Sequence, residues 1–177
     1  MTKKIICENI RRILKNKEEL EKLLEIKLSA QGGELEINGE AEEEYIAEKV
    51  IDALSFEFPF SEALLIKKED FMFEQINIKD FTRRRNLEAV RARIIGKKGR
   101  TLRALQELTK CYFELKENIV GIIGDPEYIK NAQEAVISLA KGTKQANVYS
   151  FLEKHQVQPI IDLGLKKPKK KKEKRNS

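Results

Sequence analysis

Arg91-Ala92-Arg93-Ile94-Ile95-Gly96-Lys97-Lys98-Gly99-Arg100-Thr101-Leu102-Arg103-Ala104-Leu105 is the stretch on which the fold turns. Two helical patterns meet there across Gly96-Lys97-Lys98-Gly99. The first ends in Ile94-Ile95, and the second carries Leu102, Leu105 and Leu108 at three-residue spacing. Glycine permits the left-handed dihedrals of so tight a corner and lets an anion approach main-chain N–H groups that a Cβ would screen. A helix starting at Arg100 turns its positive dipole end to the same spot. Lys97 and Lys98 add mobile cations, and Arg93, Arg100 and Arg103 surround them. The pattern describes a backbone clamp for phosphate.

Downstream, Cys111-Tyr112-Phe113-Glu114-Leu115 and Ile119-Val120-Gly121-Ile122-Ile123-Gly124 read as strands. Residues 126–140 read as an amphipathic helix, capped by Asp125 with Pro126 at its first position and with Ile129, Ala132, Val136 and Leu139 on its apolar face. Upstream, an opening strand is predicted near Phe73–Ile78. The same order recurs about 81–85 residues earlier. Ile13-Leu14 end a helical stretch, Leu20, Leu23 and Ile26 mark a second helix, and Glu34-Leu35-Glu36-Ile37-Asn38-Gly39 forms a strand. Residues 41–54 form a helix with Ala41, Tyr45, Ile46, Val50, Ile51 and Leu54 on its apolar face. This internal repeat predicts two related α+β units. Where the glycines should stand, the first copy has Lys15-Asn16-Lys17-Glu18, so close approach of a phosphate is not expected there.

Charge follows the same division. Residues 1–60 hold 9 Lys/Arg against 14 Asp/Glu, whereas residues 83–103 hold nine basic residues against Glu88 alone. The net charge of +6 and pI near 9.2 thus conceal a local positive field suited to a polyanion. Cys7 and Cys111 have no metal-ligand or disulfide spacing, and His155 has no evident catalytic partner; neither an enzyme nor a metal or other cofactor is indicated. GKKG lacks the GxxxxGK[ST] spacing of a nucleotide-binding loop. No apolar run is long enough for a membrane span, and no signal peptide opens the chain, which predicts a cytoplasmic protein, or a nuclear or nucleolar one in a cell with a nucleus. From Lys166 onward, eight basic residues face only Glu173, predicting a disordered tail.

The glycine pair, the isoleucines before it, the leucines after it and the trailing strand, strand and helix resemble the KH domain family in its type I order. The resemblance implies two tandem type I KH domains, each a three-stranded antiparallel sheet covered by helices. Expected boundaries are 1–55 for a degenerate KH-like domain without the glycine loop, 56–70 for a connector, 71–156 for the KH domain with its C-terminal helix, and 157–177 for the tail. Within the connector, residues 58–65 are expected to form a capped short helix that packs the domains together, and residues 147–154 a final helical turn or two. By the same resemblance, the backbone of a single-stranded RNA runs over residues 96–99, and the RNA-binding residues are Arg93, Ile94, Ile95, Gly96, Lys97, Lys98, Gly99, Arg100, Thr101, Leu102 and Arg103. About four unstacked bases would lie between these helices and the strand near 111–115. Ile95 and Leu102 are expected at or beneath the groove floor, or else as plain core; Leu105 and Leu108 are expected in the core.

Ser61-Glu62-Ala63-Leu64-Leu65, Ile78-Lys79-Asp80, residues 91–101, Ile122-Ile123-Gly124-Asp125-Pro126 and Val148-Tyr149-Ser150-Phe151-Leu152-Glu153 are similar to the archaeal and eukaryotic "partner of Nob" proteins. That family resemblance implies a non-enzymatic factor of small ribosomal subunit assembly. Its second KH domain would bind the small-subunit ribosomal RNA precursor near the 3′ end, beside a Nob-type PIN-domain endonuclease and other assembly factors. Two other functions fit a KH loop: an exosome-associated RNA-binding subunit, and a protein scaffold whose loop is vestigial. The degenerate first loop and the segment Ile160-Ile161-Asp162-Leu163-Gly164-Leu165 depart from the family pattern.

Overall fold

The computed structural model describes residues 2–7 and 9–156; the expected tail, 157–177, lies outside them. In chain order the elements are β1 (Thr2–Ile6), α1 (Ile10–Lys15), α2 (Lys17–Leu24), β2 (Lys27–Gln31), β3 (Glu34–Asn38), α3 (Ala41–Ser55), α4 (Phe60–Ala63), α5 (Leu65–Lys68), β4 (Met72–Asn77), α6 (Leu87–Ile95), α7 (Arg100–Thr109), β5 (Tyr112–Lys116), β6 (Ile119–Gly124), α8 (Pro126–Lys141) and α9 (Gln145–Lys154). The strands form two antiparallel three-stranded sheets of identical topology, β1-β3-β2 and β4-β6-β5, with the last strand of each in the centre. The α+β class and the repeated architecture are as the sequence predicts.

Local chemistry explains the ends of α8: the Asp125 side chain accepts from the Glu127 amide at 2.7 Å, Pro126 occupies the first turn, and Gly142 closes the helix with φ 106°. In α3 the inward stripe is rotated from expectation. Ala47, Val50, Ile51 and Leu54 are buried, but so is Glu44, whereas Ala41 and Tyr45 face outward. The cause lies at the turn before the helix, where the Gly39 amide donates to the Glu44 carboxylate at 3.2 Å and holds it inside. Tyr45, 60% exposed, has the Lys49 ammonium 5.6 Å above its ring centroid. The connector forms two one-turn helices, α4 and α5, with no side-chain cap on either, and α9 is longer than the expected turn or two.

The β4-β6-β5 sheet is covered on both faces, which positions everything that follows. Ile76, Phe113, Val120 and Ile122 face α6, α7 and α8 in one core. Phe73, Tyr112 and Ile123 face the other way and join the core of the first unit. Phe56, Phe58 and Phe73 form a ring cluster at this junction, with centroids 5.8–6.0 Å apart. Gly121 is required beneath it, since a Cβ there would meet the Phe56 and Phe58 rings at 2.6 and 2.8 Å. Arg12 of α1 reaches across to donate to the carbonyls of Glu57 at 3.2 Å and Phe58 at 2.9 Å, and Lys116 donates to the Ser55 carbonyl at 3.3 Å. Burial raises the carboxyls of Glu62 and Glu114 above the usual range, and Glu114 raises that of Glu62 further. The two units are therefore packed together, and the glycine corner lies on the opposite side of the second sheet from the junction.

Candidate nucleic-acid interface

Asn86 starts α6 by accepting from the Ala89 amide at 3.1 Å. The helix ends where Gly96 adopts φ 75°, ψ 170° while its own amide still donates to Ala92 at 2.8 Å. A single 3₁₀ turn over Lys97–Gly99 follows, closed by Gly99 N–H to the Gly96 carbonyl at 3.1 Å and by Arg100 N–H to the Lys97 carbonyl. Lys98 (φ 55°) and Gly99 (φ 73°) are both left-handed. The amides of Lys97 and Lys98 have no acceptor among the described residues. They sit at the N-terminal end of α7, where the helix dipole adds positive potential. A pair of unspent donors at a positive helix end, flanked by cations, is equipped to hold a phosphate.

The two glycines have different duties. A Cβ on Gly96 would meet the Thr101 hydroxyl at 2.1 Å and its amide nitrogen at 2.7 Å, so Gly96 permits the corner to close on itself. A Cβ on Gly99 would meet nothing within 4 Å, leaving that side of the turn open to an approaching group.

The predicted residues separate in the same way. Lys97, Lys98, Arg100 and Arg103 are exposed, and Gly96 and Gly99 half-exposed. Arg103 braces the turn by donating to the Lys98 carbonyl at 2.8 Å. Ile95 is 36% exposed. Leu102 is partly buried against the core, and Leu105 is buried, as expected. Three side chains differ from the expected outward role. Ile94 is fully buried. Arg93 donates to the carbonyls of Gly142 at 2.8 Å and Thr143 at 2.6 Å, at the negative end of α8. Thr101 is buried, and its hydroxyl accepts from Gln145 at 2.7 Å. Arg93 and Thr101 anchor the corner from behind.

Sequence reasoning missed Gln145, whose amide also donates to the Arg93 carbonyl at 3.2 Å and so ties the base of the corner to α9. It also missed the groove wall. Arg91, Ile95, Leu115, Glu117 and Asn118 line an open groove beside the corner, with Arg91 donating to the Asn118 side chain at 2.7 Å. No periodicity pairs residues so far apart in sequence. This groove runs between α6 and the edge strand β5. In the first unit, α1 and α2 are joined through Asn16 (φ −111°, ψ 19°), with no left-handed corner.

Among the described residues no group of three or more His, Cys, Asp and Glu could hold a metal, and no helix is long and apolar enough to cross a membrane. The family model of the second PNO1 KH domain, a eukaryotic-type KH domain (KH-domain type I), matches residues 72–157. A KH domain-containing protein of Methanocaldococcus jannaschii is 31% identical over 62% of this chain and 49% of its own length. The pre-rRNA-processing protein PNO1 of Debaryomyces hansenii is 30% identical over 58% of this chain and 41% of its own. The chain thus spans about half the length, or less, of the curated relatives it matches. Among solved structures, Dim2p from Pyrococcus horikoshii superposes with a TM-score of 0.79 at 27% identity over 87% of this chain and 99% of that one. A chain of the a/eIF2alpha–aDim2p–rRNA complex from the same organism gives 0.79 at 27% identity over 88% and 94%.

Proposed function

We propose that this chain, which is similar over residues 72–157 to the second KH domain of PNO1 and in fold to Dim2p, is a single-stranded RNA-binding factor of small ribosomal subunit assembly. Its second sheet and the helices around the GKKG corner bind the ribosomal RNA precursor near its 3′ end. The observation that carries this reading is the outward corner, where the unbonded amides of Lys97 and Lys98, the exposed lysines and the open side of Gly99 converge. RNA backbone runs over residues 96–100, and Arg103 steadies the turn. Bases descend into the groove lined by Ile95, Leu115, Arg91 and Asn118. The site contributes recognition and positioning, not bond making. The solved rRNA complex of a Pyrococcus horikoshii relative supports rRNA as the ligand class. Candidate protein partners are an a/eIF2alpha-type factor, by analogy with that complex, and a Nob-type PIN-domain endonuclease, by the sequence resemblance.

The test is a titration of a short single-stranded RNA from the 3′ end of the small-subunit rRNA. Lys97→Asp with Lys98→Asp lowers affinity by about tenfold or more, through lost counterion release and added repulsion. The melting temperature stays at that of the unchanged chain, because both side chains are exposed. Undiminished binding by the double variant removes the site.

A further inference from the structure

The two repeats differ where the first strand of each hands over to its first helix. β1 ends at Ile6 and α1 begins at Ile10, whereas β4 ends at Asn77 and α6 only begins at Leu87. The longer connector of the second unit is Ile78-Lys79-Asp80-Phe81-Thr82-Arg83-Arg84-Arg85-Asn86. Its composition is unusual for a connector: Phe81 is 36% exposed, and Lys79, Arg83, Arg84 and Arg85 are all exposed. The segment has defined geometry. The Ile78 amide donates to the Asn118 carbonyl at 2.9 Å, the Phe81 amide donates to Ile78, and the Arg84 amide donates to the Thr82 hydroxyl at 3.2 Å. The Arg84 guanidinium lies against Gly142, where an added Cβ would meet it at 2.6 Å. The guanidiniums of Arg83 and Arg85 have no hydrogen-bond or ion-pair partner among the described residues. Two acids, Asp80 and Glu88, flank the stretch and leave it net basic.

Asn118 joins this segment to the groove. Its main chain holds Ile78, and its side chain takes the Arg91 guanidinium that lines the groove wall. β5 and β6 are linked only by Glu117 and Asn118, which line that end of the groove. The Ile78 amide on the Asn118 carbonyl places the start of the 79–85 segment at that end of the groove. We infer that residues 79–85 form an extension subsite for the same RNA strand, with an unstacked base on the Phe81 ring and the adjoining phosphates held by Arg83 and Arg85. An exposed aromatic beside unpaired cations is the arrangement by which single strands are held without regard to sequence, because every base has a π-face. The subsite rests on the RNA-binding reading of the GKKG corner and lengthens its footprint.

Affinity as a function of RNA length tests it. Two oligonucleotides are titrated, one of about four nucleotides that fills the groove alone and one of about eight that also passes Asn118. The unchanged chain binds the longer RNA about tenfold more tightly. Phe81→Ala, and separately Arg83→Ser with Arg85→Ser, erase most of that gain and leave the affinity for the shorter RNA and the melting temperature as they were. A chain that binds both lengths equally, or a Phe81→Ala variant that keeps the gain or weakens both lengths alike, overturns the extension and leaves the corner intact. Failure of the unchanged chain to bind either RNA overturns the corner and the extension together.

Discussion

At the residue scale, the GKKG corner turns on two glycines that look equivalent in sequence and are not. Gly96 is enclosed: its φ of 75° and the Thr101 hydroxyl 2.1 Å from an ideal Cβ mean that any side chain must displace the start of α7. Gly99 is open, and its left-handed φ of 73° is the main obstacle to substitution, at roughly 1–2 kcal/mol for an L-residue. The neighbouring Lys98, at φ 55°, already tolerates that conformation. Gly96→Ala should therefore act first on folding, lowering the thermal midpoint by more than Gly99→Ala does. Gly99→Ala should stay folded near the original midpoint while RNA affinity falls severalfold, because its methyl group projects into the space left open to the strand. Paired thermal melts and RNA titrations check both; equal melting shifts in the two variants would contradict this division of duties.

At the element scale, α7 and α8 are legible because each imposes its own helical period on the sequence, and the corner is legible because Gly-x-x-Gly between two helical patterns has few structural solutions. Spacing along one chain shows neighbours in sequence only, so it places Arg93 and Thr101 beside the corner without showing that they turn inward. Their partners, Gly142, Thr143 and Gln145, come from a turn more than forty residues away. The junction does leave a signal in the sequence: Ile119-Val120-Gly121-Ile122-Ile123-Gly124 is apolar without alternation, as befits a strand covered on both faces. On the junction face of β5, Glu114 is held partly out of water, close to Glu57 and Glu62, with Arg12 the opposing charge. Its folded-state carboxyl is raised from 4.5, so the contribution to stability is complete below that value and is lost as pH rises through the folded value. Glu114→Gln should raise the melting temperature at neutral pH by roughly 1–3 °C, the scale of a small, solvent-screened change in a chain of this size. The gain should shrink as the buffer is acidified through the folded value, and be gone once the pH is below the ordinary value of 4.5. A gain that grows on acidification would reverse the sign assigned to this group.

At the scale of the whole molecule, the repeat has been divided into unlike halves by charge and by one corner. The first unit carries the acidic excess, joins α1 to α2 without a left-handed turn, and spends Arg12 on the junction. The second offers Lys97, Lys98 and Arg100 to solvent on the far side of its sheet. If each of these three cations releases the counterion of one phosphate, the logarithm of affinity for a groove-length RNA should fall against the logarithm of salt with a slope of about −2, from roughly −0.7 per phosphate on a single strand. Lys97→Ala with Lys98→Ala should flatten that slope by about 1.4. Neutralising Lys15 and Lys17 should leave it unchanged, since a cation registers in the slope only where a phosphate replaces its counterions, and the first unit has no corner to bring one there. A slope that responds equally to both pairs would mean that RNA crosses both halves and that the loss of the first glycine corner has not removed its unit from binding.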